Sequence, residues 1–327
     1  MSMNAKQFLR IDSSILRPLI ALVVMSIALA FASESFATAD NLFNVMRQVS
    51  VNLCISVGMT LVILTGGIDL SVGSILALSG AVAAGLIKSG ISIEGANLHI
   101  GFTFFGVVIV ALVIGGALGW FNGQMVTRFK VPPFIATLGM LTIARGLTML
   151  YTNGHPITGL GASFEYLGTG WFCGVPMPVL VAALVVVLFA LFMRKSPWGR
   201  YIYAIGGNER ATRLSGIDVN RVKCFVYTMA GVLSAVAALI VTARLDSAQP
   251  NAGTGYELDS IAAVVIGGTS LNGGKGSVWG TVVGALIIGV LNNGLVLLNV
   301  SPFWQQVIKG LVILLAVVMD RMNAKEQ

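Results

Sequence analysis

The stretch Gly206-Gly207-Asn208-Glu209-Arg210-Ala211-Thr212-Arg213-Leu214-Ser215-Gly216-Ile217 is the most informative polar segment of the chain. The glycine pair breaks the backbone and Asn208 is a good helix N-cap. Glu209 then stands where the positive end of a helix favours an anion. Glu209 and Arg213 are four apart and can pair across one turn, and Gly216 can take the left-handed conformation that closes a helix. The spacing predicts a short polar helix, about 10 Å long, on a surface. Ala211 and Leu214, three apart, give it a small apolar edge for a partner. A capped loop that only connects its neighbours has the same signature.

Other groups with chemical potential lie inside apolar runs. Asn52, Thr65, Asn292 and Asn293 each donate and accept hydrogen bonds, which suits contact with a neutral solute or glue between helices. Asp69 follows the glycine pair Gly66-Gly67, where it can accept backbone N–H bonds at the start of a helix. Three cysteines (Cys54, Cys173, Cys224) and two histidines (His99, His155) are far apart, without metal-ligand spacing or a Cys-x-x-Cys pair. No catalytic residue, metal site, disulfide framework or cofactor is expected in this chain. It also lacks the Gly-x-x-x-x-Gly-Lys-Ser/Thr loop that cradles nucleotide phosphates.

The elements that carry these residues are apolar. Of 327 residues 56% are hydrophobic and only 10% charged, against about 25% charged in a soluble domain. Mean hydropathy is +0.89, so the solvent of this chain is lipid. Runs at 18–33, 48–68, 70–87, 100–127, 131–151, 178–193, 224–243, 258–270, 277–298 and 302–319 are nearly free of charge. A spanning helix needs about 20 such residues, so these runs predict about ten spans, with 258–270 short enough to be a half-helix.

The net charge of +7 is spread between the runs rather than along one stripe, which argues for orientation and against nucleic acid. Lys6, Arg10 and Arg17, then Arg128 and Lys130, then the basic residues of 194–223, then Arg321 and Lys325 fall on one side if ten spans alternate. Segments 89–99 and 152–177, on the other side, hold no Lys or Arg. Both termini are therefore expected in the cytoplasm. Ala30-Phe31-Ala32 after the first run resembles a cleavage site, but cleavage would spoil the alternation, so a retained first helix is expected. No linker divides the chain, and 1–327 reads as one transmembrane domain with a cytoplasmic segment at 194–223. The frame GG-x-x-L-x-x-G occurs twice, at Gly66–Gly73 and Gly267–Gly274, and such paired interruptions point to a transport pathway.

Several long motifs in order resemble the ribose-type family of ABC-transporter permeases for pentoses and hexoses. They include Asn41-Leu42-Phe43-Asn44, Val57-Gly58-Met59-Thr60-Leu61-Val62-Ile63-Leu64 and Gly67-Ile68-Asp69-Leu70-Ser71-Val72-Gly73-Ser74. Phe134-Ile135-Ala136-Thr137-Leu138, Ala252-Gly253-Thr254-Gly255-Tyr256-Glu257-Leu258-Asp259 and Leu291-Asn292-Asn293-Gly294-Leu295 continue the likeness across almost the whole chain. The resemblance implies an all-α polytopic membrane protein with about ten helices, similar to the vitamin B12-type importers. It implies a homodimer in the bacterial inner membrane, partner ATPase subunits carrying ATP and Mg, and a periplasmic sugar-binding protein. The docking role falls on Asn208 through Ile217, and the sugar path on Asn52, Thr65, Gly66, Gly67, Asp69, Asn292 and Asn293. Arg145 and Lys309, deeper in the apolar runs, are expected at the dimer seam or the aqueous path. Asp246, Glu257 and Asp259 in the outer segment 244–259 could meet basic groups of the binding protein, or belong to a short solvated loop. An ion-coupled secondary sugar transporter would want a midplane acid, and only Asp69, near an end, is offered. A membrane-embedded enzyme would want a cluster of His, Asp or Glu, which is missing.

Overall fold

The computed structural model describes residues 13–93 and 98–325. In chain order the elements are α1 (Ser13–Ala32), α2 (Ala39–Leu64), α3 (Val72–Ser89), β1 (Ile91–Ile93), β2 (Leu98–Ile100), α4 (Phe104–Thr127) and α5 (Pro133–Thr152). Then come β3 (Ile157–Thr158), α6 (Ala162–Thr169), β4 (Trp171–Phe172), β5 (Val175–Pro176), α7 (Met177–Lys195), α8 (Pro197–Gly207) and α9 (Glu209–Leu214). The chain ends with α10 (Val219–Arg244), β6 (Ser247–Ala248), α11 (Tyr256–Ile266), α12 (Val278–Leu297) and α13 (Pro302–Lys325). Each of the ten apolar runs holds one helix. Seven of these (α2, α3, α4, α5, α7, α10 and α12) are long and apolar enough to cross a membrane. The apolar stretches of α1 and α13 are shorter, Leu16–Ala32 and Pro302–Val318. Helix α11, with 11 residues, rises only about 16 Å and cannot cross a hydrocarbon core of about 30 Å.

Helices α2, α3 and α10 form the buried centre, while α4, α5 and α7 keep most of their apolar surface outward. That outward surface is what lipid or another subunit must cover. Ile55, Met59, Leu61, Ile63, Leu64, Tyr227 and Ile240 are fully buried in this centre. Helix α4 lies along α10 through Gly115, Gly119 and Gly123, spaced by one turn. A Cβ on Gly123 would sit 2.8 Å from the Cα of Cys224, so only glycine lets these backbones close.

Segment 194–223 is not a loop. It contains the end of α7, all of α8 and α9, and the first turn of α10. The expected break at Gly206-Gly207 falls one residue later: α8 runs through Gly207, and Asn208 (φ −159°) breaks the helix. At the other end of α10, about 39 Å away along its 26 residues, β6 pairs antiparallel with β3 (Ile157 opposite Ala248). This ties segment 152–177 to the bundle.

Candidate functional site

Helix α9 is set by its own sequence. The Asn208 side chain accepts from the Ala211 amide at 2.9 Å, and the buried Thr212 hydroxyl donates to the Asn208 carbonyl at 2.8 Å. Gly216 at φ +85° turns the chain out of the helix. Glu209 accepts from Arg213 at 3.0 Å and from Lys223, on α10, at 2.6 Å. The Lys223 hydrogen bond, helped by Arg213, holds the Glu209 carboxyl below the ordinary carboxylate range. One acid thus both closes the helix and fastens it to α10. Arg210, Ala211 and Leu214 face outward, and Leu214 is 81% exposed, while Ile217 is half-buried against the core.

Directly behind α9, α8 rests on both glycine loops. The Gly274 amide donates to the Leu64 carbonyl at 3.0 Å, joining the loop after α2 to the loop after α11. Gly206 fills the angle between them, and a Cβ there would collide with the Leu64 carbonyl and the Gly274 amide. A Cβ on Gly273 would lie 3.0 Å from both the Gly206 Cα and the Gly66 N. Tyr203 donates to the Gly276 carbonyl at 2.9 Å. The repeated frame read from the sequence therefore marks two loops that meet each other and the base of α8, backbone on backbone.

The seven candidate path residues do not form one constellation. Thr65, Gly66, Gly67 and Asp69 belong to this junction. The Thr65 hydroxyl donates to the Val62 carbonyl at 2.8 Å, and Gly67 lies under the Tyr227 hydroxyl. Asp69 is fully buried, and its Oδ1 accepts from the Ser71 amide at 2.9 Å and the Ser71 hydroxyl at 2.6 Å. Its Oδ2, the Asn122 Oδ1 and the Tyr227 hydroxyl are buried without a hydrogen-bond partner among the described residues. Asn52 and Asn292 come together about 18 Å along α2 from Leu64, in a cavity of about 30 Å³ shared with Gln48, Tyr256 and Asp259. Asn52 accepts from Ser260 at 3.0 Å, and the Asn292 Oδ1 is buried without a hydrogen-bond partner among the described residues. Asn293 is elsewhere: it exchanges two hydrogen bonds with Asn41, at 2.8 and 3.0 Å, and so clamps α12 to the far end of α2.

The ionisable residues of the apolar runs are used internally. Lys309 of α13 pairs with Asp259 of α11 at 3.0 Å. Arg145 donates to the carbonyls of Pro250 and Ala252 at 2.8 and 2.9 Å. Two of the three acids of the outer segment are likewise occupied. Asp259 is buried in its pair, and Asp246 accepts from the Leu160 amide at 2.8 Å. Sequence reasoning missed Gln48, Tyr256 and Ser260. Lys309 did carry a signal as a costly charge in an apolar run, but not its pairing with Asp259, which read as an outer acid. Among the described residues no group of His, Cys, Asp and Glu is arranged to hold a metal, and the three cysteines are free.

Residues 41–317 match the family described as branched-chain amino acid transport system / permease component. The ribose import permease protein RbsC of Bacillus subtilis is 52% identical over 312 residues, 94% of this chain and 92% of that protein. RbsC of Escherichia coli K12 is 51% identical over 308 residues, 93% of this chain and 92% of that protein. The D-allose transport system permease protein AlsC of E. coli is 38% identical over 303 residues, 93% and 90% of the two chains. No solved structure gives a significant match. The chain belongs to this family of transport-system permease components.

Proposed function

We propose that the chain is the membrane-spanning subunit of a binding-protein-dependent ABC importer that carries a monosaccharide, ribose first, across the bacterial inner membrane. The observation that carries the reading is α9. It is a six-residue helix with Leu214 outward, fastened by Glu209 to α10, next to a helix seated on both glycine loops. Residues Asn208 through Ile217 offer partner ATPases a small apolar surface with charges at its rim. ATP and Mg would be held by those subunits, and the sugar delivered by a periplasmic binding protein to a dimer of this chain. The reading keeps ten membrane-inserted segments, a fold similar to the vitamin B12-type importers and cytoplasmic termini, on the side where the basic segments lie.

In this mechanism the protein does no chemistry on the sugar. Closure of the ATPases pulls α9, and α8 passes the movement to the Leu64–Gly274 junction and so to α2, α11 and α12. The cavity at Asn52 and Asn292, at about 30 Å³, has room for one water and none for a sugar, so passage requires α2 and α12 to separate there. Amide and hydroxyl groups then exposed can trade hydrogen bonds with sugar hydroxyls. The test uses the importer reconstituted in vesicles with its ATPase and binding protein. Glu209→Gln and Arg213→Gln should lose the coupling of ATP hydrolysis to ribose uptake. Unaltered binding-protein-stimulated hydrolysis and uptake in both would sink the role of α9. Uptake that persists without ATPase and collapses with a protonophore would replace the whole reading by ion coupling.

A further inference from the structure

A groove of about 610 Å³ runs along the α4–α10 seam, beside α9 but separate from it. Its mouth carries Arg128, Lys130 and Arg221, all exposed, and its walls are Trp120 and Phe225. Asp218, also at the mouth, is paired with Arg221 at 2.8 Å, and Lys130 reaches Asn220 at 3.5 Å. The Arg128 guanidinium donates no hydrogen bond among the described residues and stands over the Phe129 ring, 6.0 Å from its centre. The mouth therefore keeps a net positive charge with donors to spare. From Arg128 the groove descends eight residues to Trp120, about 12 Å into the apolar body of the bundle. Trp120, in the lining, is 53% exposed, so the groove opens outward from the protein, where an aromatic side chain suits the membrane interface.

We infer that this groove binds an anionic phospholipid, its phosphate at Arg128 and Lys130 and an acyl chain along Trp120 and Phe225. Charge complementarity selects the headgroup, since basic pockets between spanning helices suit anionic lipids. The depth selects lipid over a soluble partner: an ATPase docking from water meets the mouth but cannot follow two helical turns into the bilayer. Within the groove Gln124 of α4 donates to the Cys224 sulfur of α10 at 3.3 Å, so its lining spans the seam between the two helices. A lipid there would lie against the first turns of α10, to which α9 is fastened.

The test places the full-length protein in phosphatidylcholine nanodiscs doped with phosphatidylglycerol or phosphatidylcholine, each spin-labelled high on the acyl chain. Tryptophan quenching is followed, and Trp120→Phe isolates the groove's share. Labelled phosphatidylglycerol should quench the Trp120 component at a several-fold lower lipid fraction than labelled phosphatidylcholine. Arg128→Gln and Lys130→Gln should each weaken that preference about fivefold. Equal quenching by the two lipids in the unmodified protein overturns the inference without reference to any variant. Loss of the preference in millimolar inorganic phosphate would make this a phosphate site rather than a lipid site. If ATPase subunits abolish the quenching and Arg128→Gln weakens their binding instead of the lipid preference, the groove is a protein interface and the inference fails.

Discussion

Replacing Lys309 by Met removes the cation that faces Asp259, whose side chain is only 10% exposed. Stranding one member of a buried pair costs about 3–5 kcal/mol. The Lys309 side chain is 30% exposed, so water already shares in the pair, and the lower figure, about 3 kcal/mol, applies. Asp259→Asn should cost less, about 1 kcal/mol, because the ammonium left behind can reach water. The double substitution strands no charge and should cost about 1–2 kcal/mol, well short of the sum of the singles. The coupling energy is then about 2–3 kcal/mol. Equilibrium unfolding of the four proteins in mixed micelles measures it directly. Additivity within about 0.5 kcal/mol would refute the pair as the tie between α11 and α13.

The Glu209 pair makes a pH prediction. Its folded pKa lies below the ordinary value, so its contribution is complete above the ordinary carboxylate range and fades as pH falls through the depressed pKa. Hydrogen exchange of α9 amides should accelerate over that acid window, and Lys223→Met should move the onset to higher pH. Gly206→Val should separate α8 from the Leu64–Gly274 junction, abolishing coupled uptake while the protein still binds its ATPase through α9; unchanged uptake would remove the junction from the mechanism. Asn41→Ala or Asn293→Ala should cost about 0.6–1.7 kcal/mol, the range for hydrogen bonds between membrane helices, measured by the same unfolding assay.

Hydrophobic runs located the helices because lipid demands continuous apolar length, and the short run at 258–270 left open whether α11 spans or is a half-helix, which its 11 residues decide. The cap at Asn208 and the Glu209–Arg213 spacing were equally legible, since both are local. The repeat of GG-x-x-L-x-x-G was visible as a pattern, but not that the two copies touch, which depends on tertiary packing. The same limit explains Gly206. Read alone it is a helix breaker, whereas in the fold it is a helical residue kept small by the Leu64 carbonyl. In the outer segment the partners of Asp246 and Asp259, the Leu160 amide and Lys309, were not legible. Partners 86 and 50 residues away cannot be read from one sequence.

Helix α2 is held to the α12 unit near both of its ends, by the Leu64–Gly274 bond at one and by the Asn41–Asn293 exchange at the other. A rod pinned at both ends cannot slide past its neighbour, because a shift of one turn would break both fastenings at once. It can still bow. The cavity shared by Asn52 and Asn292 lies between the pins, where a bowing rod moves farthest, so a small displacement at the α8 end is turned into sideways opening at mid-depth.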